Sequence, residues 1–192
     1  GNLRYLSPLS FDERHRLSAN IDYRYGSGIQ YNGPRWFGAD VFSEAGISLQ
    51  ANAASGRPYT KEQRPDRFGS SGVGGAINGA RLPWNFSLDM RIDKSFRIAG
   101  KENGKPLFMN VYLRIENLLD QRNVVGVYAA SGSAYDDGYL VTPNGQSSIQ
   151  TLVDSGREDD VDNYLISYQW GELVPGFFTL PRRVYLGAVL QF

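Results

Sequence analysis

The chain has no cysteine, one histidine (His15), and no apolar run long enough to cross a bilayer as a helix. Without cysteine there is no disulfide, no thiolate metal site and no thiol nucleophile. A single histidine is a poor basis for a His-rich zinc centre or a Ser-His-Asp triad. No catalysis and no cofactor are therefore expected. An excess of basic residues is also absent: Lys+Arg and Asp+Glu both number 20. A nucleic-acid footprint needs a basic excess, so no nucleic-acid partner is expected. The Gly-rich stretch 69–79 lacks the Lys-Ser/Thr ending of a phosphate loop. A transmembrane helix would need about 18–20 consecutive apolar residues. Membrane strands need no such run, because every second residue may be polar.

What is present is alternation. Leu17, Ala19, Ile21, Tyr23 and Tyr25 interleave with Arg16, Ser18, Asn20, Asp22 and Arg24. Trp84, Phe86, Leu88, Met90 and Ile92 interleave with Asn85, Ser87, Asp89, Arg91 and Asp93. A period of two places one set on each face of a strand. The pattern predicts strands over about 15–25, 42–53, 84–97, 107–118 and 183–192, with an extension of the fourth through Val124–Tyr128. Each long run is close to the ten or so residues of a tilted membrane strand. Aromatics make up 13% of the chain and Gly numbers 22, which suits aromatic girdles and turns.

The connections alternate in length. Residues 129–181 and 54–82 are long, and 99–106 is short; 26–40 is longer than a short turn should be. A structureless loop of such length is uncommon in a compact soluble domain. On the outer side of a membrane barrel it is normal. A short helix is expected over Asp162–Trp170, stopped by Gly171, and Pro143-Asn144-Gly145 reads as a turn; no ordinary helix is expected elsewhere. For the hairpin across 99–106, a register opposing Asp89 or Asp93 to Arg114 joins opposite charges. The intermediate register, Arg91 against Arg114, is expected to be avoided.

The final stretch ends Tyr185-Leu186-Gly187-Ala188-Val189-Leu190-Gln191-Phe192. In it Tyr185, Gly187, Leu190 and Phe192 resemble the C-terminal signal read by the assembly machinery of Gram-negative outer-membrane barrels. Further motifs are similar to TonB-dependent receptors, including the Oar-like branch. They are Phe11-Asp12-Glu13-Arg14-His15 before the first strand, Ser55-Gly56-Arg57-Pro58-Tyr59-Thr60, Asn85 to Phe96, Glu116-Asn117-Leu118-Leu119-Asp120, and Pro181-Arg182-Arg183. The resemblance covers nearly the whole chain and implies the last five strands of a barrel of about 22 strands with a plugged lumen. It implies an all-β transmembrane antiparallel barrel segment with short periplasmic turns and long extracellular loops. The implied function is TonB-dependent uptake of a ligand across the Gram-negative outer membrane. The partners are outer-membrane lipid, the remainder of the barrel and plug, an energy-coupling protein acting through that plug, and the barrel-assembly machinery. Five strands cannot close a membrane barrel, so the rest of the wall and the export signal are expected in a longer precursor or another chain.

On this reading Asp22, Arg24, Asp89, Arg91, Asp93, Arg114, Glu116 and Arg183 face the lumen, with Arg16 on the same parity, and rigidify the wall by cross-strand pairing. Arg57, Tyr59, Arg64, Arg67 and Arg81 give the second loop a basic, aromatic character suited to anionic ligands or surface sugars. Asp136-Asp137 and Glu158-Asp159-Asp160 with Asp162 offer oxygen ligands but lack EF-hand spacing, so no metal site is expected. Two other readings remain: a soluble secreted β-sandwich binding glycans through its Tyr/Trp loops, and a structural or secretion-channel barrel subunit.

Overall fold

The computed structural model describes residues 6–65, 72–99 and 106–191. Among the described residues there are seven strands: β1 (Arg16–Arg24), β2 (Ala45–Ala54), β3 (Pro58–Tyr59), β4 (Ala80–Arg81), β5 (Asn85–Ala99), β6 (Leu107–Glu116) and β7 (Arg183–Gln191). The same residues form two α-helices, α1 (Pro143–Asp154) and α2 (Asp159–Gly171). The chain divides into two compact units. One takes in 17–53, 86–121 and the segment from 181 onward; the other takes in the first sixteen residues, 54–85 and 122–180.

The first unit is an open antiparallel sheet in the order β1-β2-β5-β6-β7. It is mostly β but does not close into a barrel. β2 starts at Ala45, three residues later than its pattern suggests, because Glu44 takes a left-handed conformation (φ 56) in the turn over 41–44. β6 stops at Glu116 and does not continue to Tyr128. Asn117 (φ 56) and Asp120 (φ 52) turn the chain, and the Asn117 side chain bonds the backbone of Gln121 in both directions. Val124 instead makes a single bridge with Phe178.

The register departs from the expected one. Arg91 stands opposite Arg114, and Arg114 opposite Tyr185. The same register aligns the apolar side chains in continuous rows: Met90–Ile115–Val184, Ile92–Leu113–Leu186 and Phe96–Met109–Leu190. Charge pairing runs along and across strands by longer routes, so the direct like-charge opposition is tolerated. Arg91 lies 4.5 Å over the Tyr112 ring and 3.9 Å from Asp93, while Arg114 meets Glu116 at 2.8 Å.

Burial in this sheet is inverted. Among the described residues of its five long strands only Gly46 and Asp93 are buried. Leu17 is 68% exposed, Leu186 77% and Ile92 40%, while the charged Asp93 is 5% exposed. Leu88, Met90 and Leu113 are half-buried by their sheet neighbours. A buried aliphatic side chain is worth about 1.5–3 kcal/mol relative to water, so an apolar face left bare in water forgoes that gain at each position. Tyr23, Phe42 and Phe96 are exposed at one end of this face and Phe86 at the other. From Phe86 to Phe96 the strand covers about 33 Å, or about 25 Å along the normal if tilted by about 40°, the height of a barrel's apolar band.

The second unit holds the small antiparallel pair β3–β4 and both helices. Helix α1 corrects the reading of 143–145 as a turn. Thr142 is its N-cap, accepting from the Gly145 amide at 3.2 Å, and Pro143 occupies the first turn, where its missing N–H is harmless. α2 begins three residues before the expected Asp162. Asp159, Asp160 and Asp162 sit in its first turn, where carboxylates favour the positive end of the helix dipole. Tyr139 and Tyr168 stack at 5.7 Å and, with Ala134, form the buried apolar centre of this unit.

Replacing the cap, Thr142→Ala, should destabilise α1 by about 1 kcal/mol. Hydrogen exchange at the first-turn amides of α1 is then expected to quicken while β5 and β6 amides keep their rates; equal rates throughout would show that the cap is not holding the helix.

Candidate functional site

The polar face of the sheet carries the candidate site. Its centre is Asp93 on β5. Arg24 reaches Asp93 from β1 through two bonds, 3.0 and 2.9 Å, although β2 lies between those strands. Gly46 of β2 makes the crossing possible: a Cβ there would stand 2.7 Å from the Arg24 guanidinium. Glycine inside a strand marks such a close approach. Asn110 donates to Asp93 at 3.0 Å and to Ser95 at 3.1 Å, completing the carboxylate's coordination.

A second lock sits beside it. The Tyr112 ring lies across Gly187 of β7, where a Cβ would come within 2.4 Å of the ring. Arg91 lies over that ring, 4.5 Å from its centre. Glu116 takes Arg114 on one oxygen and Arg183, at 2.7 Å, on the other. Asp89 accepts the Asn117 amide at 2.8 Å, and Asp22 accepts the Ser48 hydroxyl. All eight predicted face charges, Asp22, Arg24, Asp89, Arg91, Asp93, Arg114, Glu116 and Arg183, thus fall on polar-face positions of one sheet. Asn20, Asp22, Ser48, Gln50, Asp89, Arg91 and Arg114 line a shallow concavity of about 370 Å³ on it.

Of the C-terminal signal residues, Tyr185 faces Arg114, Gly187 receives Tyr112, and Leu190 sits opposite Met109. Phe192 lies outside the described residues, as do Arg67 of the second loop and the turn at 100–105. The other second-loop residues belong to the helix-bearing unit. Arg81 holds the Asp12 carboxylate and donates to the carbonyls of Asp12 and Gly56, both at 3.1 Å. That guanidinium keeps the Asp12 carboxyl below its usual pKa range. Arg57 pairs with Glu13 at 3.0 Å, and the Tyr59 hydroxyl lies close to Gly132. Arg64 is also engaged. Arg57 and Arg81 thus tie the second loop to the segment before β1.

The same unit contains one acidic group that charge runs alone do not reveal. Carboxylate oxygens of Asp136, Asp137 and Glu172 lie within 4.8 Å of one another. They have internal partners: Tyr168 donates to Asp137 at 2.7 Å, the Tyr139 amide to Asp137 at 2.7 Å, the Asp137 amide to Glu172 at 2.9 Å, and the Gly138 amide to Asp136 at 2.7 Å. Burial is the main cause that pushes Glu172 up to about 7. The Asp137 carboxyl and the Asp136 charge add to it against the Asp137 amide. Near neutral pH Glu172 therefore holds its proton part of the time. The sequence flags only Asp136-Asp137; Glu172 is brought in by α2.

Comparison with known protein families, with curated proteins and with solved structures gives no match to this chain.

Gly46→Ala should push Arg24 off Asp93 and cost about 1–3 kcal/mol, since a buried carboxylate loses a charged donor. In an Arg24→Ala background the same substitution is expected to be near neutral, so a double-mutant cycle from denaturant unfolding in detergent reads the coupling. Additive effects would show that the glycine does not serve the arginine.

Glu172 also predicts a pH dependence. Its folded pKa lies above the ordinary 4.5, so protonation favours the folded unit. That contribution is complete below about pH 4.5 and is lost as pH rises through about 7. Exchange of the α2 amides should therefore quicken over this window, beyond the intrinsic pH effect, and Glu172→Gln should flatten the profile; an unchanged profile in the variant would assign the effect elsewhere.

Proposed function

We propose that this chain is a wall segment of a TonB-dependent outer-membrane receptor: five transmembrane strands whose apolar face meets lipid and whose charged face lines a plugged lumen. The observation that carries the reading is the inverted burial of the sheet, with Leu186 77% exposed and Asp93 5% exposed. In water this arrangement forgoes apolar burial; in a bilayer the bare face is solvated by hydrocarbon and the ionised face keeps its water. The sheet edges at β1 and β7 would pair with further strands of the wall, because unpaired backbone groups cost several kcal/mol each in hydrocarbon. The long connections 54–82 and 129–181 would lie outside and meet the ligand first. Energy coupling would act on a plug domain, and Tyr185, Gly187 and Leu190 would be read by the assembly machinery. No catalytic step is part of the reading.

The absence of cysteine gives a clean test. Single cysteines at Ile92, Leu113 and Leu186, spin-labelled in the protein reconstituted into vesicles, should be reached by oxygen in the lipid and shielded from a water-soluble quencher. Labels at Ser87, Gln50 and Tyr185 should show the reverse. Equal quenching by the aqueous reagent on both faces would end the membrane reading.

A further inference from the structure

The direct opposition of Arg91 and Arg114 has a chemical consequence. Like charges facing each other across strands are unfavourable unless something neutralises them. Their available carboxylates are shared. Asp93 is held bidentately by Arg24 and lies 3.9 Å from Arg91, and Glu116 serves both Arg114 and Arg183. Both guanidiniums are about half exposed, 46% and 56%, and both line the same concavity. At the other side of that floor stands Asp22 of β1, held by Ser48, with Asn20 and Gln50 beside it. The floor therefore runs from a carboxylate and an amide on β1, through an amide and a hydroxyl on β2, to Asp89 and two cations on β5 and β6.

We propose that this concavity is a subsite for a small dipolar ligand of the short-peptide type. Its carboxylate would bridge Arg91 and Arg114, and its ammonium would point to Asp22. Guanidinium donors match a carboxylate in geometry as well as charge. Tyr112 pre-positions Arg91 by lying beneath it, which lowers the ordering cost of binding. Strands are spaced by about 4.8 Å, so Asp22 and the arginine pair are separated by about 10–14 Å, close to the length of an extended tripeptide. A volume of about 370 Å³ is at the small end of ligand sites. Asp89, turned to the Asn117 amide on the same floor, disfavours a second negative charge on the ligand. The inference deepens the wall reading, since it takes this face to look into a water-filled lumen.

The test uses the full chain in detergent micelles, with trialanine as the probe in titration calorimetry. Trialanine should bind. Its C-terminal amide should bind roughly tenfold or more weakly, the loss of charged hydrogen bonds. Arg91→Gln and Arg114→Gln should each weaken trialanine to a similar extent, while Arg97→Gln, outside the floor, should not. N-acetyl-trialanine should lose affinity in the native protein but lose nothing further in Asp22→Asn. Should a glutamine variant misfold by circular dichroism, the amide and acetyl probes on the native protein still decide. Absence of trialanine binding, or equal binding of the acid and the amide, overturns the subsite. Equal binding of trialanine and its acetylated form overturns the dipolar assignment. A chain that passes the spin-label test yet ignores trialanine loses only the subsite; one that binds trialanine but fails the label pattern loses only the membrane reading.

Discussion

One ionic contact organises the polar side of the sheet: Arg24 laid over Gly46 onto Asp93. It ties β1 to β5 across the strand that separates them, so three strands are registered by a single group. A carboxylate as buried as Asp93 is tolerable only because Arg24 and Asn110 both donate to it; without them, desolvation would be uncompensated. The neighbouring lock, Tyr112 across Gly187, does the same for β6 and β7 with an aromatic ring in place of a charge. Both locks use a glycine as the receiving surface. The face is thus built from two long side chains reaching over two positions that lack one.

From that construction the inversion of burial follows. Cohesion on the polar side comes from directed hydrogen bonds and ion pairs, so the opposite side need not supply a core. It is free to be almost entirely aliphatic and aromatic, and Met90, Ile92, Leu113 and Leu186 form its rows. The helix-bearing unit follows ordinary rules instead. There the tyrosine pair Tyr139–Tyr168 is enclosed, and the enclosed carboxylates Asp137 and Glu172 have donors from side chain or backbone.

Strand content was legible because a period of two survives any context, and four of the five long strands begin within one residue of the pattern. Strand pairing energetics were not. The expected register weighed only Arg91, Arg114 and their acidic neighbours as cross-strand pairs. The chain offsets these charges in part along the strand, through shared Asp93 and Glu116, and through Tyr112. Sequence distance hid Arg24–Asp93, separated by 69 positions, and the role of Gly46, whose small size reads only as a missing side chain until Arg24 is seen above it. Helix α1 was missed for a local reason: Thr142-Pro143 is equally a turn signal and a helix start, and polar residues such as Gln146, Ser147 and Ser148 give no strong apolar stripe. The loop arginines were visible, but their commitment to Asp12 and Glu13 depends on the segment before β1 folding back.

The edges of the sheet carry the argument furthest. Soluble proteins blunt an outer strand with proline, a bulge, an inward charge or a covering loop. β1 and β7 contain no proline, and their apolar parities, Leu17, Ala19, Ile21, Tyr23 and Val184, Leu186, Ala188, Leu190, hold no charge. The one lysine on the apolar parity, Lys94, is on an inner strand. Its ammonium reaches the Val41 carbonyl and stands over Phe96, as a cation does when it must reach a polar layer from an apolar surface. Strands so unprotected pair with whatever extended backbone they meet. In solution that is a route to aggregation, whereas in a closed wall the partner is the next strand, and the same lack of protection becomes the means of continuing the sheet.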